Sequence, residues 1–347
     1  MSHLNVLAKG NRLLKVLAAI FAFVLLVGAA LSLFACSDNE DTKPSGGGKP
    51  LRPPRYREGY TTEHKGEFTT ADGTVQYDFT GTVHWITNED TGFEIYGRIF
   101  KPADFDETKK YPMAIVCHGF NALSEDGTSR IVQNYIADGM LCYTFDFCGG
   151  GNSVQSDGET TDMSVESEIL DLEYVVDYVQ SLPYVDTGKI VLTGKSYGGL
   201  VVATEAARHP DEFAGLVLYF PAITAYKSFH EQWPDQASID ALPDDYTYTD
   251  EASKFIYGKK YYADFFALGD PLDYINDFDK DVILLQGNMD EAVSIDLQLE
   301  TDKVYDEGAG QCTFVEVDGA PHNFSDADYL YVMPFVNDYL QSIGIIS

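Results

Sequence analysis

The chain has 347 residues, of which 45% are hydrophobic and 13% aromatic, and its formal net charge at pH 7 is −32. This apolar content supports a sizeable core and excludes a wholly disordered chain. The negative charge excludes nucleic acid as a partner and disfavours docking of the folded part on anionic membranes, because their phosphates would repel it.

The first 36 residues have the pattern of an export signal. Lys9, Arg12 and Lys15 precede an uncharged apolar run over residues 16–35, which is also long enough to span a bilayer. The end of the run, Leu-Phe-Ala followed by Cys36, resembles a bacterial lipoprotein signal, in which the cysteine is lipidated. An uncleaved membrane anchor is the alternative.

A flexible tether is predicted over residues 37–57, because this stretch is rich in glycine, proline and charge and has no apolar periodicity. The folded domain is then predicted over residues 58–347. Export places it outside the cytoplasm, as a cell-surface lipoprotein or a membrane-anchored extracellular domain. The sequence leaves its oligomeric state open.

Strand and helix patterns alternate along the domain after a predicted hairpin of Gly81–Ile86 and Phe93–Phe100. Six further apolar runs predict strands: Met113–Cys117, Leu141–Phe147, Ile190–Leu192, Gly215–Phe220, Val282–Gln286 and Cys312–Val317. Four helices are predicted over Val165–Val179, Tyr197–Arg208, Ile295–Tyr305 and Tyr329–Ile343, the last with a kink at Pro334. This order predicts a three-layer α/β fold with a mostly parallel sheet.

An insertion of some 50 residues, about 221–271, interrupts this rhythm after the sixth predicted strand. Its many aromatic residues favour a cap over the carboxyl ends of the strands, with Tyr226, Phe229 and Trp233 as candidates for substrate binding. The alternative is a packed insertion whose aromatics form their own small core.

The segment Gly194-Lys195-Ser196-Tyr197-Gly198 directly follows an apolar strand and precedes a helix. A sharp turn in this position lifts a serine hydroxyl above the sheet edge as a nucleophile, and its glycines permit close approach of neighbouring backbone. The alternative is a glycine-rich turn with an ordinary serine. The segment therefore predicts Ser196 as a catalytic nucleophile if a base and an acid accompany it.

His322 is the predicted base, because it lies in the loop after the last strand. Five of the other histidines lie away from that edge of the sheet, and the sixth, His118, is assigned a structural role below. Asp290, just beyond the strand that ends at Gln286, is predicted to orient the imidazole. Glu291 and Asp318 are the competing carboxylates.

The backbone N–H groups of Phe120 and Tyr197 are predicted to form the oxyanion hole. Phe120 follows the strand ending at Cys117, and Tyr197 follows the serine. His118 is expected to be buried and structural. Cysteine spacing suggests no zinc site, so no metal is expected. The cysteines are interpreted as buried thiols, with a Cys142–Cys148 disulfide as the alternative.

These motifs together resemble the cinnamoyl/feruloyl esterase group of bacterial α/β-hydrolases. The resemblance covers roughly residues 80–343 and rests on His118-Gly119-Phe120, the loop 145–151 with Ser153, the serine turn, Asp290 and Pro321-His322-Asn323-Phe324. It implies the three-layer α/β-hydrolase fold with a cap, and hydrolysis of small-molecule esters of phenolic or other small acids without a cofactor.

Lys195 and Tyr197 replace the residues usual around this serine in the esterase group, and the string Ser-Tyr-Gly-Gly also resembles prolyl-oligopeptidase-type peptidases. A serine carboxylesterase is therefore expected. Its alternatives are a peptidase acting on short peptides, a lipase- or lysophospholipase-like acyl hydrolase, and a surface lipoprotein that binds a ligand without catalysis.

Overall fold

The computed structural model describes residues 55–70, 73–125 and 128–347. The predicted export signal, Cys36 and the tether up to residue 54 lie outside these ranges. Arg55 and Tyr56, which the sequence places in the tether, lie against the sheet. The guanidinium of Arg55 lies 4.9 Å from the ring centre of Trp85, and the ring of Tyr56 stacks on that of Tyr96 at 6.2 Å.

A nine-stranded sheet forms the centre of the domain, in the order β1-β2-β3-β5-β4-β6-β7-β10-β11. Its strands are β1 (Thr61–Thr70), β2 (Gly73–Asn88), β3 (Phe93–Phe100), β4 (Tyr111–Cys117), β5 (Leu141–Phe145), β6 (Val185–Lys195), β7 (Gly215–Tyr219), β10 (Val282–Gly287) and β11 (Cys312–Val317). The pairs β1–β2, β2–β3 and β3–β5 are antiparallel, and all the others are parallel. The mostly parallel sheet is thereby confirmed.

Both faces of the sheet are covered, which explains why its central strands are continuously apolar. In β4, Met113 and Ile115 face one core cluster, whereas Ala114 and Val116 face the other. All four of these side chains are fully buried. The sheet is therefore the middle layer of three.

Helices form the outer two layers. Their bounds are α1 (Ser129–Ala137), α2 (Val165–Ser181), α3 (Tyr197–Arg208), α4 (Ala225–Gln232), α5 (Gln236–Asp240), α6 (Lys259–Leu268), α7 (Ile295–Asp306) and α8 (Asp326–Ser342). Buried residues of α2 and α3 belong to one core cluster and those of α1 and α8 to the other. Pro334 lies inside α8. Within the described ranges, no helix has both the length and the apolar character that a membrane span requires.

The edge strand β1 and the elements inside the insertion are not predicted by the sequence. Because β1 adds a strand, the insertion follows the seventh strand of the chain and not the sixth. Residues 221–271 form α4, α5, a two-stranded hairpin of β8 (Thr247–Thr249) and β9 (Ile256–Gly258), and α6, and end at a 3₁₀ turn over Pro271–Asp273. The four cysteines in the described ranges are free thiols.

Candidate functional site

Ser196 lies at the junction of β6 and α3, at the carboxyl end of the sheet. Its backbone angles, φ 50° and ψ −118°, are rare for a residue with a side chain and cost about 1–3 kcal/mol. Three backbone hydrogen bonds hold this turn. The Ser196 N–H donates to Tyr219 O at 3.0 Å, and Ser196 O accepts from the N–H groups of Gly199 at 2.9 Å and Ala222 at 2.8 Å. The surrounding strands therefore impose the strained conformation that exposes the hydroxyl.

Glycines allow the turn to pack backbone against backbone. A Cβ at Gly198 would overlap the carbonyl oxygen of His118 and lie 2.7 Å from that of Cys117. A Cβ at Gly199 would lie 2.5 Å from the Cβ of Pro221. Helix α3 can therefore begin directly against the end of β4 and against Pro221 only because these positions carry no side chain.

The structure brings together the three residues that the sequence predicts as nucleophile, base and acid. The Oγ atom of Ser196 lies 2.8 Å from Nε2 of His322, and Nδ1 of His322 lies 2.8 Å from Oδ2 of Asp290. With the proton on Nδ1, the imidazole donates to the carboxylate and accepts from the serine hydroxyl. His322 and Asp290 are each only 7% exposed, so water competes little for these hydrogen bonds.

The carboxylate of Asp290 is fixed from both sides. Its Oδ1 accepts from the N–H groups of Ala292 and Val293, both at 2.8 Å, and its Oδ2 also accepts from Nε2 of Gln286 at 2.9 Å. The sequence does not identify Gln286 as part of the site. The only sequence feature that could have indicated it is its position near the end of β10. The competing carboxylates, Glu291 and Asp318, are exposed.

The loop after β4 lies against the serine. A Cβ at Gly119 would come within 3.3 Å of the Cβ of Ser196. Within the part of the chain that the structure describes, neither the Phe120 N–H nor the Tyr197 N–H donates to a protein acceptor. Two unpaired backbone donors beside the serine hydroxyl are what an oxyanion hole requires.

His118 is buried beneath this loop. Its Nδ1 donates to Gly119 O at 2.7 Å, and its Nε2 accepts from the Phe147 N–H at 3.1 Å. Asp146 adds a second clamp, because its two carboxylate oxygens accept from the N–H groups of Ser124 and Gln155, each at 2.8 Å. Both side chains thereby hold the loop after β4 to the loop after β5.

Aromatic rings of the insertion pack on Phe120. The ring of Tyr257 stacks on that of Phe120 with centres 5.5 Å apart, and the ring of Phe255 lies 4.6 Å away. Phe265 stacks on Tyr197 at 6.3 Å. The sequence does not distinguish these residues among the aromatics of the insertion, because all lie outside any recognisable motif.

The three insertion residues that the sequence proposes for substrate binding contact other aromatics of the insertion. Phe229 lies edge-to-face on Phe265 at 4.8 Å, and Tyr226 is 6.1 Å from Phe265. Trp233 lies 5.0 Å from the ring of Tyr262. They therefore contribute to the packing of the insertion, and their role in binding stays a prediction.

Buried ionisable groups behind the serine are held neutral. Burial raises the pKa of the Glu168 carboxyl well above its ordinary range, and the nearby charge of Asp171 raises it further. Burial likewise raises the pKa of the Tyr197 phenol and of the Cys117 thiol.

The comparisons with known proteins agree with this fold. Residues 109–241 match the family model described as serine aminopeptidase, S33. The structure of Est1E from Butyrivibrio proteoclasticus with bound ferulic acid superimposes with a TM-score of 0.64 at 22% identity, covering 75% of this chain and 98% of that one. The chain therefore has the α/β-hydrolase fold.

Two sequence relatives match shorter stretches. The quorum-quenching protein AidA of Acinetobacter baumannii is 25% identical over 117 residues, which are 34% of this chain and 38% of the relative. Dipeptidyl-peptidase 5 of Schizosaccharomyces pombe is 31% identical over 117 residues, which are 32% of this chain and 17% of the relative. The matches thus span less than half the length of these relatives.

Proposed function

We propose that the protein is a serine carboxylesterase that acts on esters of small or aromatic acids. The hydrogen-bonded series Ser196, His322 and Asp290, beside two unpaired backbone N–H groups, is the observation that carries this proposal. Each part supplies one requirement of acyl transfer: a nucleophile, a base, a group that orients the base, and stabilisation of the oxyanion.

In the first half of the proposed reaction, Ser196 Oγ attacks the ester carbonyl carbon while its proton passes to Nε2 of His322. Asp290 stabilises the resulting imidazolium through Nδ1. The carbonyl oxygen becomes an oxyanion that accepts from the Phe120 and Tyr197 N–H groups. When the tetrahedral intermediate collapses, the C–O bond to the alcohol breaks and His322 protonates the leaving alkoxide.

In the second half, His322 removes a proton from water, and the hydroxide attacks the acyl-enzyme carbonyl. The bond to Ser196 Oγ then breaks, and His322 returns the proton to the serine. The products are the free acid and the alcohol. No step requires a metal or a cofactor.

The aromatic rings around Phe120 support an aryl acyl group as substrate. Tyr257 and Phe255 lie beside the loop that would bind the carbonyl oxygen, so that a planar acyl group could stack there. The fold-level neighbour Est1E, solved with ferulic acid, has the same overall architecture. Residues 221–271 would then act as a cap.

A substrate panel tests the proposal. The purified protein is assayed with methyl ferulate, p-nitrophenyl acetate and aminoacyl-naphthylamides, and is labelled with a fluorophosphonate probe. Hydrolysis of the esters together with labelling of one serine is the expected result. Cleavage of the amides alone would reject the esterase in favour of a peptidase, and absence of both reactions would reject a serine hydrolase.

A peptidase is the second candidate. It is favoured by the match of residues 109–241 to the serine aminopeptidase model and by the similarity to dipeptidyl-peptidase 5. The same triad would then attack an amide, and His322 would protonate a leaving amine. The substrate panel separates the two functions, because the esters are cleaved at a C–O bond and the aminoacyl-naphthylamides at a C–N bond.

Replacement of Asp290 by asparagine is expected to lower kcat for p-nitrophenyl acetate by about 10³- to 10⁴-fold, because the base loses the carboxylate that orients it and stabilises its charge. Steady-state kinetics measure this loss. Glu291→Gln and Asp318→Asn are matched controls, since they alter the two exposed competing carboxylates. A comparable loss in either control, with Asp290→Asn active, would reassign the acid.

Replacement of Tyr257 by leucine is expected to lower kcat/KM for methyl ferulate by about 10-fold, because an aryl acyl group would lose a stacking partner. The value for p-nitrophenyl acetate should change little. Tyr331→Leu is the control, because that ring is exposed on α8 and contacts Phe335. Equal losses for both esters in Tyr257→Leu would show that the ring only supports the fold.

We also propose that the protein is exported and attached to a membrane through its N-terminus. The proposal rests on the basic and apolar pattern of residues 1–36. Mass spectrometry of the membrane-extracted protein distinguishes a lipidated Cys36 at the new N-terminus from an uncleaved anchor.

A further inference from the structure

A buried carboxylate lies where α3, the helix that follows Ser196, packs against α2. Glu205 of α3 is 2% exposed, and its Oε2 has no hydrogen-bond partner among the residues that the structure describes. Glu173 of α2 and His209, the residue after α3, lie beside it. One ligand atom from each of the three residues lies within 4.8 Å of the other two.

A negative charge on Glu205 is poorly compensated. Burial raises the pKa of its carboxyl to about 8, and the charge of Glu173 is the next largest cause. Glu212 and Asp177 raise this pKa further, and Arg208 opposes them. Nevertheless, the guanidinium of Arg208 already donates to both carboxylate oxygens of a different acid, Glu166, at 2.6 and 2.9 Å.

We propose that Glu173, Glu205 and His209 form a binding site for a divalent transition-metal ion, of which Zn²⁺ is the best fit. Two carboxylates and one imidazole are a ligand set that Zn²⁺ accepts, with water in the remaining position. Tetrahedral ligands at about 2.1 Å from the ion lie about 3.4 Å apart, so only small side-chain rotations are needed. Glu173 is half-buried and His209 exposed, so both side chains have room to rotate, and the imidazole would leave its 3.8 Å contact with Glu212 to do so.

The site would connect two helices that otherwise carry like charges at this point. It lies nine residues along α3 from Ser196, about 13 Å at the rise of an α-helix, so that the ion would have no part in the proposed ester hydrolysis. Its role is to stabilise the packing of α2 on α3. Sequence spacing does not reveal it, because Glu173 comes from a different helix and no cysteine takes part.

Thermal unfolding and titration calorimetry of the purified protein test the site, with ZnCl₂ as the probe and EDTA as the reference. Zn²⁺ at about 100-fold its dissociation constant should raise the Tm by about 5 °C, with one ion bound per chain. The shift should disappear in Glu205→Gln and in His209→Ala. Because His209 is exposed, the second variant keeps the test decisive even if the first variant misfolds.

Two controls separate this site from general screening of an acidic protein. Glu107→Gln, which changes an exposed glutamate that is not one of the three proposed ligands, should retain the full Zn²⁺ shift. Ca²⁺ and Mg²⁺ at the same concentration should give a smaller shift, because they do not favour imidazole. An equal shift with Ca²⁺, a shift that persists in His209→Ala, or no saturable binding of Zn²⁺ would each overturn the proposal. Esterase activity does not enter this test.

Discussion

Replacement of Ser196 by alanine is expected to lower kcat for ester hydrolysis by about 10⁴- to 10⁶-fold and to abolish labelling by a fluorophosphonate. The reason is the 2.8 Å hydrogen bond between Ser196 Oγ and His322 Nε2, which gives the base a direct path to the proton of the attacking atom. Without Oγ no acyl-enzyme can form. Steady-state kinetics and intact-protein mass spectrometry measure the two effects.

The matched control is Ser181→Ala, which removes an exposed hydroxyl at the end of α2 and should leave both readouts unchanged. Ser196→Ala is itself expected to fold normally. An alanine adopts the same unusual φ as the serine at similar strain, so the Tm reports whether the fold is retained. Residual labelling in Ser196→Ala would identify another nucleophile and remove the basis of the proposed mechanism.

Ser196, Asp290 and His322 can be predicted from the sequence because each follows an apolar strand, and parallel strands end at the same edge of a sheet. What it lacks is the support around them. Gln286 lies in an apolar strand and reads as a core residue, yet its side chain donates to Asp290 Oδ2. Such a contact depends on how the loop after β10 folds back, which spacing alone does not determine.

The central strands are predictable because their side chains are buried on both faces, so that the apolar run is continuous. Strand β1 lacks this signal. Its side chains alternate between exposed and half-buried over residues 61–67, and it is held mainly by backbone pairing with β2. Pairing energy of this kind leaves no apolar pattern, which is why the edge of the sheet is missed.

The insertion is detected by its length, but its internal contacts are not. Its aromatics are too numerous for composition to select Tyr257, which stacks on Phe120, over Trp233, which packs on Tyr262. The selection depends on the β8–β9 hairpin, whose two three-residue strands are too short for a periodic pattern. Substrate-contacting positions in the insertion therefore need the tertiary structure.

Replacement of Gly198 by alanine is expected to lower the free energy of unfolding by about 3 kcal/mol and the Tm by about 6–12 °C. The added Cβ would meet three backbone atoms, the carbonyl oxygen of His118 and the carbonyl oxygen and carbon of Cys117, the last at 2.9 Å. Backbone cannot rotate away as a flexible side chain can. Either α3 shifts from the end of β4, or the turn at Ser196 is distorted.

Gly188→Ala is the matched control, because its added Cβ would meet only Asp186 Oδ1, at an ordinary 3.6 Å. Its Tm should be unchanged or slightly raised, since alanine restricts the unfolded chain. In Gly198→Ala, kcat should fall even at temperatures where the protein is folded, because a shift of α3 moves both Ser196 and the Tyr197 N–H. Equal Tm values for the two variants would contradict the close packing of α3 on β4. An unchanged kcat in Gly198→Ala would show that the turn at Ser196 tolerates the shift of α3.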